Sequence, residues 1–178
     1  MNITPEDIQN LACEFELETD VIKALLDVHG CPTGFSKETD AIVIHFEPFH
    51  FERYTGMRLG NGVENQVTER KAYNKAFGLN PKVAMLSTQW GRMKVYGFLH
   101  IHAGYDTVNA MEEAFSESEY NQVRGCLKSI KYSNQAMFDA LQQKEWATFA
   151  SYFWGNYYKR MGYHTQLQDS YNKSIAFR

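Results

Sequence analysis

The sequence predicts a mostly helical α+β fold, a helical domain with one small β element. Apolar residues recur at the 3.6-residue spacing of an amphipathic helix in segment after segment. Only "AIVIHFE", Ala41 to Glu47, has the β-branched run of a strand, and it stops at Pro48. With 178 residues, 44% of them hydrophobic, the chain suits one domain spanning 1–178, with no internal repeat or low-complexity tract.

In "ITPEDIQNLACEF", Thr4 is the N-cap, Pro5 the first helical residue, and Glu6 and Asp7 fill the first turn; Ile8, Leu11, Ala12 and Phe15 form the apolar stripe. A second helix starts at Thr19. There Ile22, Leu26 and His29 fall at i, i+4 and i+7, which puts His29 at the helix end on the face of Ile22 and Leu26, and Gly30 is the stop. After the strand, "YTGMRLGNGV" (Tyr54–Val63) is a glycine-rich surface loop. Helical patterns then run over Gln66–Phe77, Pro81–Leu86, Gly91–Ala103, Thr107–Phe115, Ser118–Lys131, Gln135–Leu141, Glu145–Phe153 and Thr165–Ile175. Ser116 with Glu119 fits a capping box, and Asn134 an N-cap.

Charge excludes some partners. The chain carries 21 acidic and 18 basic residues, a formal charge of −3, so it has no electrostatic case for nucleic acid or an anionic membrane. No apolar run reaches the ~20 residues of a membrane span, and none has the form of a signal peptide, so the expectation is synthesis in the cytoplasm. Three cysteines, Cys13, Cys31 and Cys126, without CxxC spacing read as reduced thiols. There is no GxSxG, SxxK or P-loop, and no cofactor is expected.

Among groups that could do chemistry, "HFEPFH" puts His45 and Glu47 on one strand face with His50 three residues on, but the spacing matches no established metal-ligand motif, and neither does His100 with His102. No metal is therefore expected. Cys31 beside His29 is the one pairing of a nucleophile with a base, and two neighbours at a helix end rarely meet in the needed bond. Carboxylates are more informative, because glycoside hydrolysis needs a carboxylic acid kept protonated by apolar surroundings. Glu47, among Phe46, Phe49 and Phe51, has the most apolar neighbours; its structural alternative is to bond backbone amides of a helix beginning at Pro48. Asp27 is turned about 200° from His29 around its helix.

With these residues placed, the chain resembles the phage-type N-acetylmuramidases, endolysins with a lysozyme-like fold that cleave peptidoglycan glycan strands. Four ordered blocks carry the resemblance. "IKALLDVHGCPTGF" (Ile22–Phe35) is similar to a family helix ending EVES before a Gly-x-Gly-Phe loop, and "IVIHFEPFHFERYTG" (Ile42–Gly56) to ILFERHxFxRLTG. "STQWGRMKVYGFLHIHAGY" (Ser87–Tyr105) looks like SWGLxQIMGFNYxxxGY, and "WATFASYFWGNYYKRMGYHTQLQDSY" (Trp146–Tyr171) like WxxFAxxYNGPxYxxNxYDxKLxxAY. Framework positions such as Gly34, Phe46, Glu47, Trp90, Gly91, Gly97 and Tyr171 match, whereas the departures are polar. His29 stands where the resemblance implies the catalytic glutamate, Lys94 replaces a glutamine, Trp154 an asparagine, and Met161 and His164 an asparagine and an aspartate.

The candidate site is Glu47, chosen for its apolar neighbours, and the substituted His29, with Trp90, Lys94, Trp154, Tyr158 and His164 as candidate substrate contacts. The aromatic members suit sugar stacking and core packing alike. A histidine's reference pKa near ~6.5 falls in apolar surroundings, and a lost general acid costs about 10²–10⁴ in rate. Two readings follow. In one, the fold is catalytically degenerate and acts in wall binding or as a phage particle or tail component, with glycan strands and phage structural proteins as partners. In the other, the chain is an active muramidase with Glu47 as acid.

Overall fold

The computed structural model describes residues 2–176. The backbone gathers into two compact units, one made of Asn2 and Pro32–Ser129, the other of Ile3–Cys31 with residues 130–176. Among the described residues there are eleven α-helices, a two-stranded sheet and a three-stranded sheet, the mostly helical fold with a small β element that the sequence predicts.

In the first unit, β1 (Phe35–Ser36) pairs antiparallel with β2 (Ala41–Ile42), while β3 (Ile44–Phe46), β4 (Thr88–Trp90) and β5 (Val95–Tyr96) form an antiparallel sheet in that order. The single strand expected over Ala41–Glu47 is therefore two strands in two sheets. Val43 divides them because its N–H donates to Gly34 O at 2.9 Å and its carbonyl accepts from Gly91 N at 2.9 Å. In the three-stranded sheet the period-2 alternation of a strand sorts side chains by face. Ile44, Phe46, Thr88, Trp90 and Val95 are buried, and the cross-strand row His45, Gln89, Tyr96 lies on the opposite face.

The segment Gly91–Ala103, expected as a helix, is a β-hairpin turn, strand β5 and a short 3-10 turn over Gly97–Leu99. Gly91 at φ +72° and Lys94 at φ +50° take left-handed conformations that a helix cannot hold, and Lys94 N–H closes the turn onto Gly91 O at 3.0 Å. Flanking the sheet, α3 (Pro48–Thr55) is a helix absent from the predicted elements except as the alternative start at Pro48; it takes the first two residues of the predicted loop and ends at Gly56 with φ +73°. Helix α4 (Gln66–Leu79) has a capping box between Asn65 and Thr68; α5 (Pro81–Leu86) and α6 (Val108–Glu117) are capped by Asn80 and Thr107.

Helix α7 (Glu119–Ser133) begins differently from the expectation. Ser118 Oγ, not Ser116, accepts the Asn121 N–H at 3.2 Å, and Ser116 donates to Glu112 instead. Glu119 is fully buried, accepting from Gly34 N at 2.5 Å, Thr33 Oγ1 at 3.3 Å and Arg92 Nη1 at 2.8 Å. One turn on, buried Gln122 accepts from Arg92 N at 2.7 Å and donates to Phe115 O at 2.8 Å. Both glycines beside it need the room: a Cβ on Gly34 would reach 2.1 Å from Gln122 Oε1, and one on Gly91 2.7 Å from its Cδ. These two side chains satisfy backbone donors of two loops that no strand or helix serves.

The second unit is wholly helical among its described residues. Helix α1 (Pro5–Phe15) has the Thr4 cap in a reciprocal box with Asp7; α2 (Thr19–His29) ends at Gly30, where a Cβ would press to 2.4 Å on Leu26 O. Asn134 caps α8 (Gln135–Gln142) as expected, accepting from Met137 N at 3.2 Å. Helices α9 (Trp146–Trp154), α10 (Tyr157–Met161) and α11 (Tyr163–Ala176) complete the unit. The short α10 has no counterpart among the predicted elements. Side chains bind α2 to α11, Ser170 donating to Asp27 Oδ2 at 2.7 Å and Ser174 to buried Asp20 at 2.5 Å.

Candidate active site

Glu47 is the N-cap residue of α3, with extended backbone, but its carboxylate makes no cap bond. It reaches across the sheet face instead, its Oε1 accepting from Gln89 Nε2 at 3.4 Å and lying 3.2 Å from His45 Nε2. The structural alternative, a carboxylate bonded to the amides of the following helix, is thus not what forms; β3 delivers Glu47 to the face that carries His45. The other ring nitrogen, His45 Nδ1, is 2.8 Å from Glu69 Oε1. Glu69 comes from α4, is buried, and accepts the Phe46 N–H on Oε2 at 3.1 Å. Two flanking carboxylates raise the His45 pKa above its ordinary value, the bond to Glu47 most strongly, against the opposing effect of partial burial. Tyr96, across the strand pair from Gln89, is raised chiefly by burial and then by the Glu47 charge, while the Gln89 side chain opposes the shift.

Two other candidates of this unit have different fates. Trp90 is 1% exposed, donates its indole N–H to Met85 O at 3.0 Å and packs edge-on against Tyr73. It is a core residue with no face for a sugar, which corrects its assignment as a substrate contact: β-strand alternation turns it inward beside Ile44 and Val95. Lys94 sits at the hairpin turn, half-buried. His50 is enclosed by the rings of Phe49, Tyr96 and Phe98. Cys126, fully buried, has its thiol pushed up to about 12 by that burial, which suits packing and not nucleophilic chemistry.

In the second unit His29 ends α2 among aromatic rings. Its imidazole stands edge-on to Phe153 at 4.7 Å and to Trp154 at 5.8 Å between centroids, and Trp154 stacks on Tyr163 at 4.4 Å. Tyr158 meets His164 at 5.3 Å, at the start of α11, and His164 Nδ1 is buried with no hydrogen-bond partner among the described residues. The structure therefore joins His29 with Trp154, and Tyr158 with His164. Asp27 is engaged with Ser170, on α11.

The sequence model of the N-acetylmuramidase family matches residues 18–174. The chain belongs to that family. No curated protein sequence matches it. Among solved structures it is similar to the Burkholderia AP3 phage endolysin, with a TM-score of 0.88 at 23% identity, over 99% of this chain and 72% of that one. The fold is accordingly lysozyme-like.

For this N-acetylmuramidase-family chain, sequence reasoning missed Glu69, Gln89, Glu119 and Gln122. A signal for Glu69 existed: Gln66, Glu69, Arg70, Tyr73 and Ala76 form one helical stripe, so the polar members share a face with buried ones. Gln66 brackets Ile44 with two bonds of 2.9 Å, and Arg70 bonds Ile42 O. For Gln122 and Glu119 no local signal existed, because their partners lie in distant loops.

Proposed function

We propose that this chain is a wall-binding member of the N-acetylmuramidase family that no longer hydrolyses glycan strands, carried as a cell-wall-contacting or structural part of a phage particle. The observation that supports the reading is His29, where the resemblance implies the catalytic glutamate, packed edge-on against Phe153 and Trp154. A glycosidase acid must hand a proton to the leaving oxygen and then help an oxocarbenium-like centre with negative charge. A neutral imidazole among apolar rings offers neither, and an imidazolium adds the wrong sign. Asp27 does not replace it, being bonded to Ser170. The ligand of this reading is the peptidoglycan glycan strand.

The second reading, hydrolysis with Glu47 as acid, draws on its place at the open face of the sheet. Against it, Glu47 Oε1 faces the donors Gln89 and His45, an arrangement for an accepting carboxylate rather than a proton donor. One experiment separates the readings: purified peptidoglycan sacculi are incubated with wild type, His29→Glu and Glu47→Gln, and soluble muropeptides and pelleted protein are both followed. Co-sedimentation without release by wild type is the expected result. Release that disappears in Glu47→Gln overturns the proposal in favour of the active enzyme.

A further inference from the structure

No acidic residue lies between Glu145 and Asp169, and in that stretch Lys159 and Arg160 stand next to each other among aromatic residues. The formal charge of −3 supplies no case for an anionic surface, but charge acts over only about 10 Å at moderate salt, so the local balance decides. Three departures from the family pattern fall here, and each makes the segment more apolar or less acidic: Trp154 and Met161 in place of asparagines, His164 in place of an aspartate. The two cations sit on the short helix α10, bracketed by Gly155 at φ +61° and Gly162 at φ +69°. A Cβ on Gly155 would meet nothing within 4 Å, so this glycine serves the turn and not packing. Half-buried Tyr158 anchors α10 against His164 at 5.3 Å, and Gln166 Nε2 donates to Met161 O at 2.7 Å. Tyr157, Arg160 and Met161, at i, i+3 and i+4, share another side of the helix. Tyr157 is 69% and Met161 50% exposed, and neither Lys159 nor Arg160 has an ion-pair partner among the described residues.

We propose that α10 is a membrane-contact element, which lays Tyr157 and Met161 into the headgroup layer of an anionic phospholipid bilayer and sets Lys159 and Arg160 on its phosphates. The contact goes beyond the glycan reading and does not depend on it. No helix among the described residues is long and apolar enough to cross a membrane, so the element lies on the surface. Tyrosine suits that boundary because its ring is apolar while its hydroxyl stays wet. Charge complementarity comes from two cations with no carboxylate near them in sequence, each worth a measurable share of binding to an anionic leaflet. A nucleic acid is disfavoured: it would need more than two cations along its backbone and would leave exposed Met161 without a role. A protein partner is disfavoured by Lys159, since lysine is depleted from the cores of protein interfaces.

The test is flotation of the full chain with vesicles of phosphatidylcholine alone or mixed in equal parts with phosphatidylglycerol, for wild type, Lys159→Gln, Arg160→Gln, Met161→Asn and Lys173→Gln. Lys173 is exposed in the last turn of α11, so its variant removes the same charge about 15 Å along that helix from its start. Wild type is expected to bind the anionic vesicles alone. Either charge change at α10 should weaken that binding about fivefold and Met161→Asn should weaken it too, with Lys173→Gln close to wild type. All four side chains are on the surface, so the fold is kept, which circular dichroism checks. Wild type that binds neither vesicle, or both equally, overturns the proposal. So does a loss in Lys173→Gln as large as that in Lys159→Gln, which would mean diffuse charge, or unchanged binding in all three α10 variants. A single-stranded oligonucleotide is run in parallel. If it is bound through Lys159 and Arg160 while the vesicles are not, the surface belongs to nucleic acid and the proposal falls.

Discussion

The surroundings of Glu47 are rich in hydrogen-bonding side chains and those of His29 in aromatic rings. Glu47 belongs to a row of hydrogen-bonding side chains, His45, Gln89 and Glu69, each oriented by a specific donor or acceptor. His29 stands against the rings of Phe153 and Trp154 and, through Trp154, meets Tyr163. A polar row holds charge in a defined place and needs every partner; an aromatic cluster excludes water and tolerates exchange of one apolar ring for another.

The comparison breaks first, and most visibly, at Glu69. Glu69→Ala strips the buried Phe46 N–H of its acceptor and His45 of one carboxylate, and should lower the unfolding free energy by about 3 kcal/mol in urea titration. A loss under about 1 kcal/mol would mean that Glu69 does not hold the polar row in place.

At the aromatic place, Trp154→Ala should cost less, about 2 kcal/mol, because Trp154 is only half-buried and fully buried rings cost ~3–5. Trp154→Phe should recover most of that loss, since a ring of similar shape can still meet His29 and Tyr163. If Trp154→Phe is as damaging as Trp154→Ala in thermal unfolding, the cluster is more specific than shape alone.

The smallest effect concerns pH. In the folded chain His45 has its pKa raised, so its protonation contributes stability that is fully present below the ordinary value of about 6.5 and is lost as pH rises through the raised one. Unfolding midpoints measured from about pH 5 to about pH 9 should therefore fall slightly more for wild type than for His45→Gln. Equal slopes would detach His45 from the Glu47 and Glu69 pair. Partial exposure of the ring keeps the expected difference small.

Much of the helical frame is legible in the sequence because its signals are local. Thr4, Pro48 and Asn134 mark helix starts through bonds or fixed torsions within one turn, and Gly30 marks an end. The hairpin at Gly91–Tyr96 is not legible in that way. Its apolar residues imitate a helical stripe, and what decides otherwise is Gly91 packed on Gln122, about thirty residues away in sequence. The candidate site divides likewise. His29, Glu47 and Trp154 stand out by residue type and position and Glu69 only through its helical stripe, whereas nothing local marks Gln89, the donor to Glu47.

By itself the sequence determined the mostly helical class, several caps and stops of the helices and the single β-branched run. Only the tertiary structure decided that the run splits at Val43, that Trp90 is core, and that Glu69, Glu119 and Gln122 are buried acceptors. The physical reason is distance along the chain. A helix cap is satisfied three residues away, but Phe46 finds Glu69 at a separation of 23 residues and Gly34 finds Glu119 at 85, and such partners exist only once the backbone has closed.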